Sequence, residues 1–200
     1  QINKELKDDP NNLELQIELA TLMIDGANYE EAINQLKAIR NKDPKNARVY
    51  KLLGTAYVLF KHEEEAMLEM NRACELDPDD PENHFNLGGL YLLRDMFQNA
   101  MHSFEKVISL DPTDITAYAN LAAAYDMLKL YDKEIVTLKK VLMFNPEDKE
   151  LRSALSNAYF NAERYEEAID AAQCVVEIDD KDPQAYCNLG SCYSVRNMID

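Results

Sequence analysis

Histidines, cysteines and one acidic run are the residues of this chain whose chemistry could build a reactive or metal-binding site. Their spacing argues against each. His62, His84 and His102 fall on different elements and stand at no metal-ligand spacing from a Cys or an acid, so each reads as a surface or packing residue. Cys74, Cys174, Cys187 and Cys192 contain no Cys-x-x-Cys pair and read as free thiols of a reducing compartment. The run DPDDPEN, Asp77 to Asn83, has four acids but lacks the glycine and distal glutamate of a calcium loop, so capping and turn chemistry explain it better. No glycine-rich phosphate loop follows a strand, and no Ser or Cys lies in a nucleophile motif. The methionines, Met67, Met70 and Met101 among them, fall on packing columns and not in a soft-metal cluster. The expectation is a chain that is not an enzyme and takes no cofactor and no metal.

Side-chain amides carry a different chemistry, that of recognition. Asn86, Asn120 and Asn188 each stand five residues before a tyrosine, at Tyr91, Tyr125 and Tyr193. In the copy between, Ala154 holds the place, and Asn157 lies one turn away. An amide offers both a donor and an acceptor, so a ladder of amides can hold the backbone of an extended peptide without reading its sequence. The competing reading is a row of asparagines that meets only water.

The elements that place these residues follow from a 34-residue period. Stepping by 34 from Pro112 gives Pro10, Pro44, Pro78 and Pro146, and the next step lands on Asp180. Two residues after each comes Asn12, Asn46, Asp80, Asp114, Asp148 and Asp182, side chains that accept from the free N–H groups of a helix start. Pro81 and Pro183 suit the first helical position, and the main proline column should end the preceding helix. Leu19, Leu53, Leu87, Leu121, Leu155 and Leu189 form one apolar column. Four residues on, Met23 and then Tyr57, Tyr91, Tyr125, Tyr159 and Tyr193 form another. Small residues lie between them, from Ala20 and Gly54 to Ser156 and Gly190. These should face the second small column of Ala32, Ala66, Ala100 and Ala168, where two helix backbones approach closely. No strand is predicted.

These columns resemble the tetratricopeptide repeat, a helix-turn-helix unit of about 34 residues. The resemblance implies an all-α fold, a right-handed α-solenoid superhelix of antiparallel helix pairs. Residues 1–12 then read as the tail of a preceding repeat helix, 13–182 as five complete units, and 183–200 as the first helix of a sixth, incomplete unit. Gln16, His84 and Arg152 depart from the aromatic that the family prefers at the place held by Tyr50, Tyr118 and Tyr186. Asp180 replaces a closing proline. Glu134 falls in the second small column opposite Ala122, where its carboxylate should lean out to water or find a hydrogen bond.

Charge narrows the partners. Thirty-seven acids against 21 bases give a net charge of −16, which repels phosphate backbones and excludes nucleic acid as the main partner. With 46% hydrophobic residues the chain can bury a core, and its 12 Gly and Pro residues mark turns, not a linker. No apolar run suits membrane insertion. A chain that opens with Gln reads as a fragment, and a cytoplasmic location is expected.

The resemblance implies a protein-interaction scaffold that binds a peptide segment or helix in a concave groove. The residues expected there are Lys51, Thr55, Phe85, Asn86, Leu93, Asn120, Met127, Asn157, Phe160 and Asn188. The family's carboxylate-holding mode is poorly matched: of the window Lys51, Thr55, Asn86, Thr116 and Asn120, only the first Lys and the middle Asn suit it. The expected partner is another protein or peptide, apolar or basic, with self-association through the open C-terminal helix as a further mode. The alternatives are a substrate-recognition arm of a larger enzyme such as a glycosyltransferase, and a self-assembling structural repeat protein.

Overall fold

The computed structural model describes residues 2–199, so Gln1 and Asp200, the outermost positions of the two terminal segments, lie outside the described residues. Among the described residues there are twelve α-helices and no strand. The chain forms two compact units, residues 1–94 and 95–200. The first holds α1 (Ile2–Asp8), α2 (Leu13–Asp25), α3 (Tyr29–Lys42), α4 (Ala47–Leu59), α5 (Glu63–Leu76) and α6 (Pro81–Leu93). The second holds α7 (Phe97–Leu110), α8 (Ile115–Met127), α9 (Tyr131–Phe144), α10 (Lys149–Asn161), α11 (Tyr165–Ile178) and α12 (Pro183–Ile199). Within each unit consecutive helices pack on one another, joined by short turns. No helix among the described residues is long and apolar enough to cross a membrane.

The helix starts follow the cap column. Asn12, Asn46, Asp114 and Asp148 each accept from the backbone N–H three residues on, and Asp80 and Asp182 from the one two residues on. Pro81 and Pro183 are the first residues of α6 and α12. The residues before the prolines leave the helical region: Asp43, Asp77, Asp111 and Asn145 have φ between −135° and −129°. Asp179 has φ −138° although Asp180 follows it, so that turn keeps its course without the proline.

The turns inside each pair use a device with no glycine signature. Ala27, Lys61, Asp95, Lys129 and Glu163, one every 34 residues, all sit in the left-handed region at φ 55° to 62°. After Ala27, Lys61, Lys129 and Glu163 the next residue's N–H reaches back to the carbonyl five places earlier, as in Asn28 to Met23 and His62 to Tyr57, both at 2.8 Å. These bonds satisfy the last carbonyls of the first helix in the manner of a Schellman cap.

In each unit the core is a run of apolar columns. Leu53, Val49, Leu36 and Ile39 are fully buried in the first unit, and Phe104, Val107, Ile135, Leu138 and Val141 in the second. The two small columns meet: Ser156 Oγ donates to the Ala168 carbonyl at 2.9 Å, and a Cβ on Gly54 would stand 3.4 Å from the Ala66 carbonyl oxygen. Gln16, His84 and Arg152 are explained by the same register. Each donates to the carbonyl six residues back, to Pro10, Pro78 and Pro146, as the hydroxyls of Tyr50 and Tyr186 do to Pro44 and Asp180. What this position supplies is a donor for the turn, and an amide, imidazole or guanidinium supplies it as a phenol does.

Glu134 corrects an expectation. It neither leans out to water nor finds a partner for its whole carboxylate: the residue is 4% exposed, and Oε2 is buried without a hydrogen bond. It stands in the first turn of α9 at the small-residue place of its column, where burial leaves that oxygen without a donor.

Candidate functional site

In the first unit a groove opens between α4 and α6, with a cavity of about 270 Å³. Thr55, Val58 and Leu59 of α4 form one wall and Phe85, Asn86, Gly89, Leu90 and Leu93 of α6 the other, with Met70 of α5 at the base. The period of α6 builds its wall: Asn86, Gly89, Leu90 and Leu93 recur at three- and four-residue steps and therefore share a face. Gly89 matters here because a Cβ at that position would meet nothing within 4 Å, so the wall is open where an ordinary residue would narrow it.

Polar groups in this groove are few. Thr55 Oγ1 is committed to the Lys51 carbonyl at 3.1 Å. Asn86 is half-buried, and among the described residues its amide makes no side-chain hydrogen bond, which leaves a donor and an acceptor available at the wall. Leu59 and Leu93 are 47% and 67% exposed at the rim, where apolar surface is left facing water. The arrangement can take an apolar side chain and hold a neighbouring backbone group. It presents no nucleophile and no acid–base pair.

Four of the ten sequence-derived residues, Thr55, Phe85, Asn86 and Leu93, are thus brought together. Lys51 is near them in sequence but is engaged elsewhere: its ammonium lies 3.1 Å from Asp80 Oδ2 and 2.5 Å from Glu82 Oε2. Burial opposes its charge, but the bonds to Glu82 and Asp80 outweigh burial and hold its pKa above the ordinary lysine value. The other five belong to the second unit. Asn120 is half-buried on α8 and Met127 ends that helix, 54% exposed. Asn157 is exposed on α10, and Phe160 meets the edge of Tyr165 at 5.6 Å. Asn188 on α12 accepts from Gln184 Nε2 at 2.8 Å.

Sequence reasoning passed over Val58, Leu59, Met70, Gly89 and Leu90. The signal was there in part, since Val58 and Leu59 follow the Tyr57 column and Gly89 is the second of a Gly-Gly pair. It also missed Asn83, buried in the first unit, whose Nδ2 donates to the Asp77 carbonyl at 3.2 Å and ties the acidic run back on itself. The histidines likewise serve locally: His62 stacks on Phe60 at 4.9 Å, and His102 Nδ1 lies 2.6 Å from the Gln98 carbonyl. Burial pushes the Cys74 thiol up to about 11, which makes it a poor nucleophile. Among the described residues no group of three or more His, Cys, Asp or Glu side chains could hold a metal ion.

Comparison with known proteins places this geometry in a family. Models of the tetratricopeptide repeat match residues 4–56, 47–80, 81–114 and 103–135. No curated protein sequence matches the chain. Among solved structures, YrrB, described as a TPR protein with an unusual peptide-binding site, is 16% identical, with 93% of this chain and 96% of that one covered and a TM-score of 0.83. The MamA protein is 21% identical, with 84% and 92% covered and a TM-score of 0.77. A tetratricopeptide repeat protein from Parabacteroides merdae is 18% identical, with 98% and 78% covered and a TM-score of 0.67. At these identities the likeness is one of fold: an all-α solenoid of consecutive helix pairs.

Proposed function

The chain belongs to the tetratricopeptide repeat family, and from that premise we propose that it is a non-catalytic interaction scaffold that binds a peptide segment in the groove between α4 and α6. The observation that carries this reading is the groove itself: an apolar cavity of about 270 Å³ with the uncommitted Asn86 amide on its wall. Phe85, Leu93 and their neighbours take an apolar side chain of the ligand, and Asn86 holds its backbone. Asn120, Met127, Asn157, Phe160 and Asn188 form a corresponding set in the second unit. Lys51 acts through Asp80 and Glu82, by fixing the start of α6, and does not meet the ligand directly. The peptide-binding site of YrrB supports the reading by analogy of fold. The partition into five complete units over 13–182, with a helix of another unit at each end, is part of the same proposal.

The test is a peptide array probed with the parent chain and with Asn86→Ala and Phe85→Ala. Peptides with apolar or mixed apolar and basic sequences should be retained. Loss of one hydrogen bond of about 1 kcal/mol should weaken them about fivefold in Asn86→Ala across sequences. Phe85→Ala should instead change which sequences rank highest. An array unchanged by both substitutions would remove this groove as the site.

A further inference from the structure

We propose that the outward face of α9 is a second docking surface, and that it receives an acidic amphipathic helix of a partner protein. The proposal is independent of the groove in the first unit.

Helix periodicity sets out the face. Val136 and Met143, two turns apart, are 59% and 81% exposed. They form an apolar strip about 10 Å long at 1.5 Å per residue, and Phe144, 58% exposed, lies further round the helix beyond Lys140. Lysines flank it on both sides. Lys133 and Lys140 lean towards α8, each with its Nζ 5.5 Å from a tyrosine ring centre, of Tyr125 and Tyr118 respectively. Lys139 leans the other way, 5.3 Å from the ring centre of Tyr159 on α10. Several other cations are paired with carboxylates, Arg40 with Glu69, Lys51 with Asp80 and Glu82, Lys149 with Asp179 and Asp182, and Arg196 with Glu166, although Lys37 also lies over a ring, that of Tyr57. On α9 three lysines gather whose ammonium groups rest on aromatic faces, and among the described residues these exposed side chains form no ion pair with a carboxylate. Carboxylates near the strip include Asp132, one turn before Val136 and 3.9 Å from Arg164, and Glu167 of α11, which feels the charge of Lys139 and is bonded to Arg164.

Charge complementarity selects the occupant. A strip of exposed apolar side chains between rows of lysine matches a helix with apolar residues at three- and four-residue steps and Asp or Glu on either side. Lysines already held over rings lose less freedom when they pair, and an exposed methionine adapts to the partner's surface. An anionic membrane is disfavoured by the same charges. A broad anionic surface meets the whole molecule at net −16, whereas a single helix meets chiefly what lies within a screening length of about 8 Å.

The probe is a fluorescent synthetic peptide of about five helical turns, with Leu at alternating three- and four-residue steps and Glu flanking them, titrated by anisotropy into the full chain. It should bind, and more weakly as salt is raised. A Lys139→Glu, Lys140→Glu double variant and a Val136→Ser, Met143→Ser double variant should each weaken it at least tenfold with an unchanged circular dichroism melt, and Asn86→Ala should leave it unaffected. Failure of the peptide to bind at about 1 mM would overturn the proposal. So would equal binding of a peptide with Lys in place of Glu, indifference to both double variants, or binding confined to vesicles of anionic lipid.

Discussion

The Tyr125 hydroxyl donates a hydrogen bond to Glu105 Oε1 at 2.9 Å, twenty residues back along the chain and one helix away. Burial, and then this bond, push the Tyr125 hydroxyl up to about 12, so it keeps its proton at any ordinary pH. The pairing repeats by column with different chemistry. Tyr91 donates to Asn71, Gln173 donates to Tyr193, and Lys37 and Lys139 lie over the rings of Tyr57 and Tyr159. Tyr125→Phe should therefore cost about 1 kcal/mol, because Glu105 loses its donor, while Tyr57→Phe should be near neutral, because Lys37 uses the ring and not the hydroxyl. Urea unfolding midpoints of the two variants compare them, and equal losses would refute the distinction.

The left-handed turns set a second expectation. A side chain at φ near +60° crowds the following carbonyl, and glycine does not. Lys61 is exposed at φ 62°. Lys61→Gly should raise stability by about 1 kcal/mol, and Lys61→Val should lower it, since a β-branched residue fits this region worst. Asp95→Gly should gain less, because Asp tolerates the region better than Lys does. Thermal melts of the three variants test the order, and a Gly variant less stable than the parent would count against the argument.

Two helical glycines should respond in opposite directions to alanine. Gly89 faces open space, so Gly89→Ala should gain up to about 1 kcal/mol of helix propensity. At Gly54 the new Cβ would stand 2.5 Å from Met70 Cγ, and Met70 is itself only 4% exposed. Gly54→Ala should destabilise despite the better propensity, because Met70 must leave its packed position. Gly89→Ala should also narrow the α4–α6 groove, so a peptide held there should bind more weakly to the more stable protein. Equal melting shifts for the two variants would show that Met70 gives way freely.

Most of the fold could be read from columns in which one residue type has one physical task. Asn12 and its equivalents cap, the prolines end helices, and Leu53 and Tyr57 mark a buried face, so local chemistry and tertiary packing agree. What could not be read were tasks that several residue types perform. Gln16, His84 and Arg152 look like departures from an aromatic column, yet each meets the turn carbonyl that Tyr50 meets. The left-handed residues Ala27, Lys61, Lys129 and Glu163 carry no signal, because the cap geometry forces a conformation that their types do not prefer. In the groove, Asn86 was visible through its distance from Tyr91. The engagement of Lys51 was not, because Asp80 and Glu82 lie 29 and 31 residues further on and reach it only through helix packing.

Glu134 gives the sharpest test, because sign and pH window are both fixed. Burial, with a smaller contribution from the Asp126 charge, pushes its carboxyl up to about 7. In the unfolded chain it titrates at the ordinary glutamate value, near 4.3. Below that pH both states hold the proton and the group is neutral to folding. Between that value and about 7 the unfolded state releases the proton while the folded state keeps it, so folding loses stability as pH rises, on the order of 3 kcal/mol in total. Above about 7 the loss is complete, and the charged carboxylate remains with Oε2 unpaired. Alanine, which Ala32, Ala66, Ala100 and Ala168 already place at the equivalent crossings, removes this linkage. The difference in stability between Glu134→Ala and the parent should be small at pH 4, grow steadily to pH 7 and level off by pH 8 in favour of the variant. Melting curves across that range measure it. A difference that stays flat with pH, or a variant less stable at pH 8, would mean that the Glu134 carboxylate has a compensating partner in solution.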